Sequence, residues 1–176
     1  MQAREQAPDL PSAMRLGKPG ALPPPRAAIV TSMPRTTLHR VTVAFGDCDP
    51  AGIVFFPNFL RWMDTASLSF FMQCGVPPWR ELVKTRGIVG TPLLEINTKF
   101  HKAVTYGETI TIATHVEEWR AKVIVQMHRV TRERAGGGED LICEGREVRA
   151  FVERDGADPD RLRAIAVPED IRLLCS

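Results

Sequence analysis

Residues 57–74 constrain this chain most. They carry Phe59, Leu60, Trp62, Met63, Ala66, Leu68, Phe70, Phe71 and Met72, against two charges, Arg61 and Asp64. Pro57 suits a first helical turn, where the N–H has no intrahelical use. Gly75, with Pro77 and Pro78 behind it, is a stop signal. The apolar side chains cover most of the circumference, so the spacing predicts a helix wrapped by other structure. A membrane span is excluded for this segment: its most apolar part, residues 65–79, is 15 residues long with two prolines, short of the ~20 a span needs.

The wrapping has to come from strands. Residues 37–45 read as a strand, with Leu38, Val41, Val43 and Phe45 among polar neighbours. Residues 78–85 read as a short second helix. Runs rich in β-branched residues follow over 88–99, 108–119, 122–132 and 141–154. Turn signals stand at Gly107 and over 135–138. Residues 162–167 read as a last short strand and 168–174 as a helical turn. One buried helix followed by consecutive antiparallel strands is an α+β layout, satisfied by a curved sheet around the helix.

The first 36 residues hold 7 of the 14 prolines and show no period. They read as a disordered arm, leaving residues 37–176 as one domain with room for a core. The arm carries five basic and two acidic residues, net +3, of a whole-chain charge of +2, so the domain holds about −1. The positive excess therefore sits in the arm, and no clustered basic patch points to nucleic acid. The arm has no apolar core of a secretory signal. Met33 would make a compact start for the domain; a start codon assigned upstream of it would add an arm without function, and a true extension is the alternative. Cys48, Cys74, Cys143 and Cys175 are far apart in sequence, which fits a reducing cytoplasm and argues against a zinc or disulfide framework. His39, His101, His115 and His128 lack metal-ligand spacing, and no metal is expected.

The chemistry concentrates in Phe45-Gly46-Asp47-Cys48-Asp49-Pro50-Ala51-Gly52-Ile53-Val54-Phe55-Phe56-Pro57-Asn58. A carboxylate loop runs into a helix N-terminus, whose unpaired N–H groups and dipole favour developing negative charge. That is minimal equipment for acyl transfer. On its residues alone Asp49 reads first as a turn former, since Asp before Pro starts turns and bonds local N–H groups, with a catalytic carboxylate as the alternative. Asp47 reads as a positioning residue. Cys48 reads as a packed thiol, its thiolate disfavoured by two flanking acids. An Asp-x-Asp pair also occurs in magnesium phosphatases with an aspartyl nucleophile, but those expect Thr or Val soon after the second Asp, on a loop after a parallel strand; here Pro50-Ala51-Gly52 follows. Arg61 and Asp64 are spaced for an i, i+3 ion pair.

This stretch resembles the signature of the hotdog-fold acyl-CoA thioesterases, most closely the 4-hydroxybenzoyl-CoA thioesterase family of the Pseudomonas type. The likeness runs from about Leu38 to Ser176. It includes Gly75-Val76-Pro77-Pro78-Trp79-Arg80, Arg86-Gly87-Ile88-Val89-Gly90-Thr91-Pro92, Glu118-Trp119-Arg120, Arg161-Leu162-Arg163-Ala164-Ile165 and Leu174-Cys175-Ser176. The resemblance implies a hotdog fold and makes Asp49 the catalytic carboxylate, as nucleophile or general base. The Phe56 main-chain N–H becomes the oxyanion donor. It puts Asp64, Trp79 and Thr91 in the acyl pocket, and Arg120 and Lys122 at the coenzyme A phosphates. Coenzyme A is then part of the substrate and no cofactor is expected. It also implies a homodimer or homotetramer with sites shared between chains. Two departures stand out: Leu60 where relatives can carry His, and Ala121 where they tend to carry a third basic residue, which turns attention to Arg80, Lys84 and Arg86. A broader acyl-CoA thioesterase and a non-catalytic acyl-CoA binder are the competing functions.

Overall fold

Pro57 and Gly75 bracket the long helix as their chemistry requires. In the computed structural model, which describes residues 34–155, 158 and 161–176, helix α1 is Pro57–Gln73, 17 residues with Pro57 in its first turn and ~25 Å long. At its end Gly75 takes φ +91°, its N–H reaching Met72 O while the Val76 N–H reaches Phe71 O, both at 3.0 Å. This paired closure satisfies carbonyls the helix leaves open, and the left-handed residue in it has to tolerate positive φ. The described residues all fall within the unit Met33–Ser176; the expected arm lies outside them as far as residue 33.

The remaining elements are β1 (Thr36–Thr42), α2 (Trp79–Arg86), β2 (Ile88–Gly90), β3 (Leu93–Phe100), β4 (Thr109–Trp119), β5 (Val123–Glu133), β6 (Glu139–Ala150), β7 (Val152–Arg154), β8 (Leu162–Ala164) and α3 (Glu169–Cys175). Five strands form one antiparallel sheet in the order β1-β4-β5-β6-β3, and three form a small sheet in the order β2-β7-β8. This is the α+β hotdog arrangement, a long helix laid on an antiparallel sheet.

Four expected strands differ in extent. The last, expected over 162–167, stops at Ala164, where the Ile165 N–H leaves for Phe151 O. The first ends at Thr42, and Phe45–Asp47 forms a tight helical turn, because the Asp47 carboxylate takes the Ala44 N–H at 2.9 Å. The strand expected over 88–99 is two strands: Pro92 brings no N–H to a ladder, and its carbonyl accepts the Ala150 N–H at 3.2 Å. The strand expected over 141–154 breaks at Phe151, whose N–H turns to Lys122 O at 3.1 Å while its carbonyl accepts from Ile165 at 2.9 Å. The first break carries the chain from the small sheet to the large one, and the second carries it back.

The helix is not wrapped all round by its own chain. Phe59, Trp62, Met63, Ala66, Ser67, Phe70 and Phe71 are buried, whereas Leu68 and Met72 stay 40% and 50% exposed. The buried face meets the sheet most closely at Gly145, where a Cβ would stand 2.5 Å from Met63 Sδ. Below it the core falls into two apolar clusters. One gathers Phe59, Trp62 and Met63 with Ile110, Ile112 and Val130. The other gathers Phe70 and Phe71 with Val116, Ile124 and Phe151. Between them lies a buried polar band of Ser67, Thr114, Gln126, His128, Glu147 and Arg149.

Candidate active site

The segment ahead of α1 is closed by main-chain bonds. Asp47 O accepts the Phe55 N–H at 2.9 Å and Ile53 O accepts the Asp49 N–H at 2.8 Å, with Cys48 and Val54 bridged between them. Inside this ribbon the Gly52 N–H returns to Asp49 O at 2.9 Å, and Gly52 sits at φ +78°, where a side chain would be strained. Two further ties hold the loop to the neighbouring connection: Val54 N–H to Val104 O, 2.8 Å, and Thr105 Oγ1 to Gly52 O, 2.8 Å. That connection is braced in turn by Lys102, which meets Asp140 at 2.6 Å; Arg132 meets the same carboxylate at 2.9 Å. Hydrogen bonds from Lys102 and Arg132 hold the Asp140 carboxyl down at about 2.

Asp49 Oδ1 accepts the Ala51 N–H at 2.8 Å, so the turn-forming reading holds. Oδ2 has no partner among the described residues, so one oxygen anchors the side chain and the other is free to act. Asp47 is the positioning residue expected of it. Its Oδ2 takes Ala44 N–H, its Oδ1 takes Arg61 at 2.9 Å, and its carbonyl takes Asn58 Nδ2 at 2.9 Å. Arg61 therefore pairs with Asp47 across 14 residues of sequence rather than with Asp64, which corrects the i, i+3 pair. Cys48 packs against the first apolar cluster, as a structural thiol does. Phe56 caps α1, and among the described residues its N–H donates to no acceptor. A groove of about 290 Å³, lined by Phe56, Phe59, Phe100 and Val104 among others, opens beside it.

A second cleft, of about 330 Å³, brings Asp64, Trp79 and Thr91 together with Leu68, Pro92 and Arg149. Trp79 is fixed edge-on by Phe71 and Phe151, ring centres 5.1 and 6.3 Å away. Gly90, at φ +144°, lets its backbone lie against that ring: a Cβ there would stand 3.4 Å from Trp79 Cδ1. The Asp64 side chain is 70% exposed, at the cleft edge rather than buried, and its carboxylate meets the Arg149 guanidinium at 2.7 Å. Asp49 and Phe56 do not enter this cleft; Asp64 lies about two turns farther along α1.

Arg120 and Lys122 flank the β4–β5 turn, where Arg120 N–H closes on Val123 O at 2.9 Å. The turn's side chains are exposed while its main chain is tied down: Ala121 O and Lys122 O accept N–H groups from Val167 and Phe151. Arg120 bonds Glu118 at 2.8 Å, which raises the guanidinium pKa and lowers that of Glu118. Arg86 is taken up by Asp170 at 2.6 Å. Among the described residues Arg80, Lys84 and Lys122 have no ion-pair partner.

Sequence reasoning missed the polar band that reaches the second cleft. The available signal was phase: Gln126 and His128 alternate in step with Ile124 and Val130, which are buried, and Glu147 and Arg149 with Cys143.

The family model for the thioesterase-like superfamily matches residues 43–173. Over 144 residues the chain is 48% identical to the 4-hydroxybenzoyl-CoA thioesterase of Pseudomonas sp. (strain CBS-3), covering 82% of this chain and 100% of that one. The three-dimensional structure of that protein superposes with a TM-score of 0.75 at 47% identity, over 80% of this chain and 99% of its own. A mutant 4-hydroxybenzoyl CoA thioesterase, one aspartate changed to asparagine and complexed with 4-hydroxybenzoyl CoA, gives 0.77 at 46% identity, over 81% and 99%. A gentisyl-coenzyme A thioesterase gives 0.65 at 27% identity, over 80% and 100%. A match spanning the loop, the helix and both sheets, with a near-half-identical relative covered end to end, means that this chain belongs to the thioesterase-like superfamily.

Proposed function

We propose that the chain hydrolyses an aromatic acyl-CoA thioester, 4-hydroxybenzoyl-CoA being the substrate the site fits best. The observation that carries the acyl assignment is the convergence of Asp64, Trp79 and Thr91 on one cleft. An indole wall accepts an aromatic ring, and a carboxylate at the far end accepts a hydrogen bond from a phenolic hydroxyl.

In this reading Asp49 acts through Oδ2. As nucleophile it attacks the thioester carbon; the C–S bond breaks, coenzyme A leaves as thiolate, and water hydrolyses the mixed anhydride to 4-hydroxybenzoate and free Asp49. As general base it takes a proton from the water that attacks instead. Either way the developing oxyanion faces the unpaired Phe56 N–H at the positive end of α1. The aspartate-to-asparagine relative complexed with 4-hydroxybenzoyl CoA supports a carboxylate role in turnover. Arg120 and Lys122 receive the coenzyme A phosphates, with Arg120 exchanging Glu118 for phosphate.

One chain holds the reactive loop and the acyl cleft apart, so the reading includes a second copy that joins them, in a homodimer or homotetramer. Exposed Phe55, Phe56, Leu68, Met72, Leu93 and Leu94, and β3 at the edge of the sheet, are the surfaces that support this. The four free cysteines fit a cytoplasmic enzyme, and among the described residues no helix is long and apolar enough to cross a membrane.

The test is thiol release from 4-hydroxybenzoyl-CoA, benzoyl-CoA and an aliphatic acyl-CoA. The expected order of kcat/KM is the order just given. Equal rates on all three favour a broad thioesterase, and binding without release favours an acyl-CoA carrier.

A further inference from the structure

The polar band between the two apolar clusters ends at the second cleft. His128 Nδ1 stands 2.9 Å from Thr114 Oγ1. On its other side His128 Nε2 lies 3.1 Å from Glu147 Oε2, close but off the direction of a full hydrogen bond. The same Glu147 oxygen accepts Arg149 Nε at 2.7 Å. Arg149 then spends its two remaining nitrogens on the cleft: one donates to Thr91 O at 3.0 Å, the other to Asp64 Oδ1 at 2.7 Å. The exposure rises along this path, with His128 and Glu147 side chains at 0%, Arg149 at 5% and Asp64 at 70%.

Such an arrangement is expensive unless it serves something. A buried ion pair is often no better for stability than apolar residues of the same volume. Here each of the three nitrogens of one guanidinium makes a hydrogen bond, each to a different segment: β6, the link between β2 and β3, and α1. A planar fork fixes the groups it bonds far more tightly than an ammonium would. Glu147 Oε1 has no partner among the described residues, so the held charge of Glu147 is directed at His128 and Arg149 through Oε2 alone. Arg149 carries one positive charge against two carboxylates, Glu147 and Asp64, and it is Asp64, on the exposed side, that meets whatever enters the cleft.

We infer that Arg149 is a positioning residue for substrate choice: it aims the Asp64 carboxylate and the Thr91 segment at the far end of the acyl group, and the Thr114–His128–Glu147 chain aims Arg149. A cleft so built accepts a neutral hydrogen-bond donor on the acyl group and rejects an anionic one. This rests on the acyl-cleft reading above. The geometry gives Arg149 no part in bond breaking, so its loss acts on discrimination between acyl groups and not on hydrolysis as such.

The experiment measures kcat/KM for 4-hydroxybenzoyl-CoA and for benzoyl-CoA in wild type, Asp64→Ala, Arg149→Lys and the double variant. Lys keeps the charge and loses the fork. Arg149→Lys is expected to lower the 4-hydroxybenzoyl preference about tenfold, the scale of one charge-assisted hydrogen bond, while benzoyl-CoA turnover changes much less. In the double variant the preference falls no further than in Asp64→Ala alone. If Asp64→Ala lowers the preference and folded Arg149→Lys leaves it at the wild-type value, the positioning role is overturned and the cleft reading stands. If Asp64→Ala also leaves it unchanged, the cleft reading falls, and the inference with it. A purely structural Arg149 would lower both substrates by the same factor, which also overturns the inference. Should Arg149→Lys fail to fold, Glu147→Gln loosens the same guanidinium from behind; a smaller fall in preference supports the inference and an unchanged preference overturns it.

Discussion

At its start α1 meets a loop whose ribbon is closed by main-chain hydrogen bonds and braced by side chains close by in sequence; about two turns later it passes a cleft held by side chains from distant segments. The first is local. Asp47, Asp49, Gly52 and Phe56 lie within ten residues, and the ribbon from Asp47 to Phe55 closes on itself. The second is assembled over long range, with Asp64 and Arg149 separated by 85 residues and tied through the core. The contrast separates two tasks. A reactive carboxylate needs one fixed direction, which backbone geometry supplies cheaply. A recognition end has to be placed against a distant thioester, and only the tertiary core can set that distance.

The contrast can be broken or sharpened by experiment, beginning with the reactive loop. Asp49→Asn keeps the Ala51 hydrogen bond possible, so the variant should fold and bind acyl-CoA while turnover drops ~10²–10⁴-fold. Steady-state thiol release with a melting curve checks this, and near-wild-type turnover would remove the loop from the chemistry. Asp64→Ala comes next. Loss of a hydrogen bond to a charged group, ~1.5–3 kcal/mol, should cut the 4-hydroxybenzoyl over benzoyl preference by about one to two orders of magnitude while leaving benzoyl-CoA hydrolysis largely intact. Equal losses on both substrates would mean that the two regions are not separable.

Gly145→Ala tests the floor both regions share. The new methyl would press on Met63, which is fully buried, and overpacking of this kind costs ~1–3 kcal/mol. Urea unfolding measures it, and an unchanged midpoint would show that α1 can ride up without cost. Acid then probes the band beneath the cleft. Burial opposes charge on Glu147, but the close contact with His128 and the hydrogen bond from Arg149 outweigh it and leave the carboxyl below its ordinary value. A carboxyl lowered on folding contributes stability that is complete above the unfolded-state value and disappears as pH falls through the folded one. Glu147→Gln should therefore flatten the acid side of the melting profile; parallel acid limbs in both proteins would refute this. The smallest effect belongs to Arg120→Glu. At an exposed turn already neutralised by Glu118, KM for acyl-CoA should rise only about two- to fivefold with kcat nearly constant, and an unmoved KM would put the phosphates elsewhere.

Much of the fold was legible because its punctuation is local. Pro57 and Gly75 act through their own φ angles and missing groups, so α1 could be bounded from sequence to within a residue or so. The break at Phe151 was not legible, because its cause is tertiary: the N–H leaves the ladder for a carbonyl on another turn. The same holds for charges. Arg61 and Asp64 are well spaced for each other, yet each finds a better partner far along the chain, Asp47 and Arg149. Asp64, Trp79 and Thr91 were tied together by resemblance and not by spacing. Nothing in their local sequence says that α1, α2 and the end of β2 share a cleft.

The group capping α1 at Phe56 has an unusual consequence for anyone mapping this protein by mutation. A donor that belongs to the polypeptide itself survives every exchange of the side chain it carries, save one: proline at 56. A saturation scan would therefore score this position as permissive even where the proposed oxyanion donor is at work. Swapping the amide for an ester at that bond deletes the N–H while keeping the side chain, at the cost of a weaker Phe55 carbonyl toward the Asn58 N–H.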